Sequence, residues 1–161
     1  IADISLDELE GMLIENSDEP YAYEVAKAVI DSRRREKIET TTRLREIIEK
    51  ALQFLPAKER KDEIKKCCAR TFQALRIDVN SEFEVLYDFL EKLPDALNPG
   101  GRVAILTFHS GEDRLVKKSF KALKNMGIYS DVSNEVIRPS REECNMNPRA
   151  ESTKMRWAVK L

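Results

Sequence analysis

Glycine is scarce in this sequence, with five residues among 161. The glycines stand at positions 11, 100, 101, 111 and 127, so no segment has the glycine spacing of a dinucleotide-binding or phosphate-binding loop. The chain therefore contains no glycine-rich loop that could hold a nucleotide cofactor by itself.

Histidine and cysteine are also few, with one His and three Cys, and no two cysteines have CxxC spacing. This composition provides no zinc ligand set, and we expect no metal site. No apolar run reaches the ~18 residues that a membrane helix requires, so we expect no membrane partner. Adjacent Cys67 and Cys68 rarely pair with each other. We expect reduced thiols and a cytoplasmic protein, or one of an organellar matrix if the source is eukaryotic.

Net charge is close to zero, because 28 Lys and Arg stand against 29 Asp and Glu. No overall field therefore favours nucleic acid or anionic lipid. Residues 58–76 are an exception, with seven basic residues against three acidic ones. This stretch is either a solvated helix face or a patch that contacts phosphates.

The first half of the chain predicts helices. Apolar residues recur at helical spacing over 5–15, 20–34 and 41–54. Ser5 with Glu8 forms a capping-box pattern before the first helix, and threonines from Thr40 precede the third. Pro20 suits a first helical turn. Three short amphipathic helices with short loops predict a small bundle.

The second half predicts an α/β arrangement. Residues 79–97 and 111–126 have helical periodicity, and 138–150 reads as a polar loop. Strands are expected at 103–108, 128–137 and 154–161, the first as a buried strand of a parallel sheet. Three strands leave unprotected edges, and the chain begins with Ile rather than Met. We therefore expect further strands upstream, in a longer protein.

The turn after the first strand is the sharpest local feature. His109 is the only histidine, and ligands of open α/β sheets bind where strands end. Ser110 is a candidate helix cap, and Glu112 and Asp113 suit the first helical turn. The segment is therefore either a substrate site or a well-capped helix start.

Two further segments carry groups that suit RNA. Arg70, Gln73 and Arg76 place two cations and an amide around Phe72, which could stack on an unpaired base. The alternative is an ordinary helix with a solvated polar face. Residues 147–152 form a turn with one guanidinium, which is either a contact to RNA or a surface hairpin.

Four segments stand in a fixed order along the chain: RTFQALRI at 70–77, NPGGR at 98–102, FHSGEDRLVKK at 108–118 and NPRAESTKMR at 147–156. Together they resemble the family of small-subunit ribosomal RNA (cytosine-N4)-methyltransferases, and the resemblance covers nearly the whole chain. Family members usually have Leu where Gly111 stands, and a His-Pro pair is replaced around Lys66.

The resemblance implies the C-terminal part of a class I methyltransferase that uses S-adenosylmethionine and methylates N4 of a cytidine in small-subunit ribosomal RNA. Residues 1–75 would be a helical insert domain for RNA recognition. Residues 76–161 would supply the last strands of a Rossmann-like sheet. The family's main cofactor loop lies upstream, so we name no cofactor-binding residue in this chain and expect the chain alone to be inactive.

The same resemblance implies roles for eight residues. His109 and Ser110 would be catalytic, close to the target base. The partner would be small-subunit ribosomal RNA or the small ribosomal subunit, with RNA bound by Arg70, Gln73, Arg76, Asp113, Asn147 and Arg149. Two alternatives stay open, a non-catalytic RNA-binding module derived from this family and a helical protein-interaction domain with a decayed sheet.

Overall fold

The chain divides into two units, residues 1–80 and 81–161, in a computed structural model that describes all residues 1–161. The domain boundary expected from the sequence, after residue 75, falls inside the last helix of the first unit. The break follows Asn80, where Ser81 adopts a left-handed conformation with φ of 49°.

The first unit consists of four helices. They are α1 (Leu6–Ser17), α2 (Ala22–Arg33), α3 (Thr41–Ala51) and α4 (Ala57–Val79). The predicted caps are present, since Ser5 and Glu8 form a capping box and the Thr40 hydroxyl accepts the Arg43 N–H. Pro20 does not begin α2, because Tyr21 is the N-cap and the helix starts one residue later.

The core of the first unit is formed by the apolar faces that helical spacing predicts. Leu13, Ile48 and Leu52 are fully buried, and α4 contributes Cys67 and Ala74 to the same cluster. The basic stretch 58–76 lies within α4. One face of this helix closes the bundle and the other carries the charges to solvent.

The second unit is a three-stranded sheet with helices. Its elements are α5 (Glu82–Ala96), β1 (Arg102–Thr107), α6 (Ser110–Asn125), β2 (Tyr129–Val132), α7 (Arg141–Met146), a 3-10 helix (Pro148–Ser152) and β3 (Lys154–Lys160). The strand order is β1-β3-β2, and β3 is antiparallel to both neighbours. Val116 and Phe120 of α6 pack with Ala158 of β3 in the core.

The prediction that 103–108 is a buried strand of a parallel sheet is wrong in two respects. The neighbour of β1 is the antiparallel strand β3, and Arg102, Ala104 and Leu106 are exposed. A nearly unbroken apolar run is typical of a strand covered on both faces. Here helices cover only the face of Val103, Ile105 and Thr107.

Two local predictions are also corrected. The polar loop expected at 138–150 contains α7, because Ser140 and Glu143 form a capping box, and the 3-10 helix begins at Pro148. The cap of α6 is His109 rather than Ser110, which is the first helical residue.

None of the helices combines the length and the apolar character that crossing a membrane requires.

Candidate functional site

The turn between β1 and α6 is held by a reciprocal helix cap. Nδ1 of His109 accepts the Glu112 N–H at 3.4 Å. Oε2 of Glu112 accepts the N–H groups of Phe108 at 2.9 Å and of His109 at 3.4 Å. Because Nδ1 accepts a hydrogen bond, the neutral imidazole carries its proton on Nε2.

The imidazole of His109 is nearly enclosed, with 12% of its side chain exposed. The Phe83 ring lies 5.8 Å from it between centroids, at an interplanar angle of 50°. Gly111 makes this arrangement possible, because a Cβ at that position would lie 2.6 Å from Cζ of Phe83. No local sequence pattern indicates this role of Phe83, which belongs to the preceding helix α5.

Glu82, His109 and Glu112 place three metal-ligating atoms within 4.8 Å of one another. Imidazole and carboxylate groups suit zinc and other divalent ions. His109 and Glu112 already serve the helix cap through Nδ1 and Oε2. The cluster could therefore hold an ion only through their remaining atoms, and the absence of a metal site stays a prediction.

Asp113 is engaged inside the second unit by Arg156 of β3. Nε and Nη2 of Arg156 donate to the two carboxylate oxygens at 2.7 and 3.2 Å. Arg156 is 6% exposed, so this bidentate pair fastens the start of α6 to the sheet from within the core. The pair joins residues that are 43 positions apart, and local sequence patterns do not reveal it.

Two segments with predicted site residues join the same end of the sheet, one with His109 and Ser110 and the other with Asn147 and Arg149. Thr107, the last residue of β1, pairs with Lys154, the first residue of β3. The segments that follow β1 and precede β3 therefore emerge side by side. Oδ1 of Asn147 accepts the Arg149 N–H at 3.2 Å and caps the 3-10 helix, while the Arg149 side chain is exposed.

In the first unit, the predicted RNA-binding residues Arg70, Gln73 and Arg76 follow one another along α4. Arg70 forms a bidentate ion pair with Glu19, in which Nε lies 2.8 Å from Oε2 and Nη2 lies 3.3 Å from Oε1. This hydrogen-bonded carboxylate raises the pKa of Arg70. Gln73 is half-buried and Arg76 is exposed.

The carboxylate of Glu19 is fully buried, and Oε1 also accepts the Tyr21 N–H at 3.0 Å. Glu19 thereby joins the start of α2 to the middle of α4. No local sequence pattern distinguishes Glu19, because a Glu before a helix is an ordinary surface pattern. Arg70 consequently has a structural partner within the chain, whatever else it contacts.

Comparisons with known proteins find relatives over nearly the whole chain. A model of the MraW methylase family matches residues 1–161. The chain is 68% identical over 158 residues to the protein named ribosomal RNA small subunit methyltransferase H 1 of Lachnoclostridium phytofermentans, covering 98% of this chain and 43% of that relative. The protein of the same name from Agathobacter rectalis is also 68% identical, with 98% and 45% covered.

A more distant relative, ribosomal RNA small subunit methyltransferase H 2 of Acholeplasma laidlawii, is 54% identical over 95% of this chain and 44% of its own length. The chain thus spans less than half the length of these curated relatives, and it matches their C-terminal part.

Proposed function

Because this chain belongs to the MraW methylase family, we propose that it is the C-terminal part of an S-adenosylmethionine-dependent methyltransferase that modifies N4 of a cytidine in small-subunit ribosomal RNA. The names of its relatives support ribosomal RNA as the substrate. The observation that carries the proposal is that the segment of His109 and Ser110 and the segment of Asn147 and Arg149 join the same end of the sheet. The site of action would be the small ribosomal subunit in the cytoplasm.

The sheet of the second unit supports the fold that this proposal needs. Strand β1 has β3 on one side and no strand on the other. An open edge with unpaired N–H and C=O groups can accept a further strand. We therefore propose that a Rossmann-like sheet continues beyond β1, and that the helices of the first unit are its insert domain.

The methyl donor implied by the family is S-adenosylmethionine, and the residues of this chain do not fit it by themselves. Gly111 is the glycine at the carboxyl end of β1, and the Phe83 ring fills the space next to it. Gly100 and Gly101 precede β1 and lie at the opposite end of the strand. We assign no residue of this chain to the donor.

His109 would orient the target base rather than remove its proton. Its Nδ1 lone pair is occupied by the helix cap, and Nε2 is buried 3.5 Å from Oε1 of Glu112. The ring would therefore act by holding the turn that faces the unstacked base. Ser110 is exposed at the first position of α6 and would contact the base directly.

Exposed groups are the better candidates for binding RNA in this proposal. Arg149, Asn147 and Arg76 are exposed and Gln73 is half-buried, so their side chains can reach a ligand. Arg70 and Asp113 would have to contact RNA while keeping their ion pairs. Phosphate contacts of this kind position the nucleic acid and confer little sequence preference.

The test replaces the matching segment of the Lachnoclostridium phytofermentans relative with this chain. The chimera should transfer a labelled methyl group to undermethylated small ribosomal subunits, and mass spectrometry of the digested RNA should identify N4-methylcytidine. The relative truncated before this segment is the negative control. A folded chimera that binds S-adenosylmethionine but leaves the RNA unmodified would overturn the proposal.

Within the chimera, His109→Ala and His109→Asn separate the ring from the cap. Asparagine is a good N-cap and should restore the fold, whereas alanine removes both functions. We expect a low kcat in both variants, with normal stability only in His109→Asn. A wild-type rate in His109→Asn would remove the imidazole from the reaction.

The second candidate is a non-catalytic RNA-binding module. It is favoured by the exposed side chains of Arg76, Asn147 and Arg149, which can reach RNA without a methyl donor. Calorimetric titration of the chain with S-adenosylmethionine should give no saturable heat under either hypothesis. A chimera that binds RNA without methylating it would favour the module.

A further inference from the structure

The first unit contains a groove between α3 and α4 with a cavity volume of about 760 Å³. Its floor is a stripe of Ile64, Cys68 and Phe72, which follow one another at four-residue spacing along α4. Residues four apart lie on one face of a helix, so the stripe is continuous. All three are half-buried against the helical core and also line the groove.

The rim of the groove is predominantly basic. Arg45, Arg60, Lys61 and Lys65 line it against two carboxylates, Glu49 and Asp62. Lys61 and Lys65 are exposed, and neither takes part in an ion pair within the chain. They stand about one helical turn apart, so both ammonium groups face the same side of the groove.

The two arginines of the rim have other tasks. Nε and Nη2 of Arg60 donate to the Leu55 carbonyl at 3.0 and 2.6 Å, which fixes the connection between α3 and α4. Nε of Arg45 donates to Glu49 at 2.8 Å, and the Arg45 side chain is two-thirds exposed. The groove thus has arginines that bind within the chain and two exposed lysines without ion-pair partners at its mouth.

We propose that this groove binds a single-stranded segment of RNA, with phosphates at Lys61 and Lys65 and a base against Phe72. The inference rests on the proposed function, which makes RNA the ligand, and it adds a binding surface on the helical unit. A basic rim around an aromatic floor is the arrangement that accepts a single strand, since lysines neutralise phosphates and aromatic rings stack on bases. An acidic peptide would use the rim but would gain little from the aromatic floor.

The binding test uses the chain itself and a fluorescein-labelled single-stranded RNA of mixed sequence, followed by anisotropy at several salt concentrations. Lys61→Ala/Lys65→Ala should weaken binding about tenfold. It should also reduce the slope of log K against log salt by roughly 1 to 1.5, because each lysine–phosphate contact contributes ~0.7 on single strands. Lys27→Ala/Lys37→Ala removes the same charge outside the groove and should leave the slope unchanged.

Cys68 supplies a second readout on the floor of the groove. RNA should slow its alkylation by N-ethylmaleimide, and fragment-ion mass spectrometry should separate Cys68 from buried Cys67 in the same peptide. The protection should disappear in Lys61→Ala/Lys65→Ala. Equal RNA affinity and equal protection of Cys68 in the two double variants would overturn the proposed RNA site in the groove. This result would leave methylation by the chimera intact. Failure of the proposed function is distinguished by a chimera that neither methylates nor binds small subunits. Protection of Cys68 by a polyglutamate peptide but not by RNA would also overturn the proposal.

Discussion

Replacing Arg70 by alanine separates a structural role from an RNA-binding role. The guanidinium is one-quarter exposed, whereas the Glu19 carboxylate that it contacts has no exposed surface. Arg70→Ala therefore leaves a buried charge without its ion-pair partner, although the hydrogen bond from the Tyr21 N–H remains. A lost RNA contact alone would leave the fold unchanged.

The magnitude follows from this geometry. Removing one partner of a buried ion pair costs about 3–5 kcal/mol, because the other charge stays desolvated. Partial exposure of Arg70 and the retained Tyr21 N–H reduce this cost. We expect Arg70→Ala to lower the free energy of unfolding by about 2–3 kcal/mol. In a unit of about 80 residues, each kcal/mol shifts Tm by roughly 4–8 °C.

Urea unfolding followed by far-UV circular dichroism measures this change in helix stability. The fluorescence of Trp157, the only tryptophan, reports separately on the second unit. The double variant Glu19→Gln/Arg70→Met should recover much of the loss, because it removes both charges.

Ordinary surface substitutions change the free energy of unfolding by less than about 0.5 kcal/mol. A change of that size in Arg70→Ala would refute the reasoning. If the variant also lost RNA affinity at a temperature where it is folded, Arg70 would be a ligand contact. Arg70→Lys distinguishes further, since an ammonium keeps the charge but cannot form the bidentate pair.

Three other substitutions test the packing of the chain. Gly111→Leu should destabilise the second unit by about 1–3 kcal/mol, because its side chain would overlap the Phe83 ring. Adding Phe83→Ala should relieve this overlap in the double variant. An unchanged urea midpoint in Gly111→Leu would contradict the close approach of Gly111 to Phe83. Asp113→Ala should cost about 3 kcal/mol by leaving Arg156 buried and unpaired, whereas a surface-like effect in the same assay would contradict burial of the pair. Burial raises the pKa of the Cys67 thiol to about 12. An unfolded thiol ionises near pH 8.5. The folded state binds the thiol proton more tightly, so its contribution to the free energy of unfolding is complete below that pH and declines as pH rises towards 12. The free energy of unfolding of Cys67→Ala should decline less steeply between about pH 8.5 and 12 than that of the unsubstituted chain. Equal pH profiles for both proteins would show that the thiol is not the cause of the decline.

Local structure was predictable wherever a side chain acts on its own backbone. The capping box of Ser5 and Glu8 and the cap at Thr40 can be read from the sequence, because each hydroxyl reaches an N–H three residues away. The same rule would have found α7 from Ser140 and Glu143. A polar composition made that segment resemble a loop.

Strand neighbours could not be predicted from the same patterns. The apolar run from Val103 to Leu106 fits a strand covered on both faces, yet one of its faces is open. Alternation in β3 separates Arg156 and Ala158 from Trp157 but does not show which set is buried. The buried face is the one with Arg156, because Asp113 satisfies part of the guanidinium there. The buried face can therefore be identified only from the contact between Arg156 and Asp113, which are 43 positions apart.

The predicted site residues divide by the same physical criterion. Arg70 and Asp113 belong to motifs that resemble an RNA-modifying family, yet each forms a bidentate pair within its own unit. If such a charge left its buried partner to bind a phosphate, the partner would remain buried as an unpaired charge, which is unfavourable. No buried ion pair holds Lys61, Lys65 or Arg149, so a phosphate can neutralise these side chains with little effect on the fold. Salt dependence of RNA binding should therefore follow these three exposed cations, whereas the stability of the fold should follow the motif residues Arg70 and Asp113.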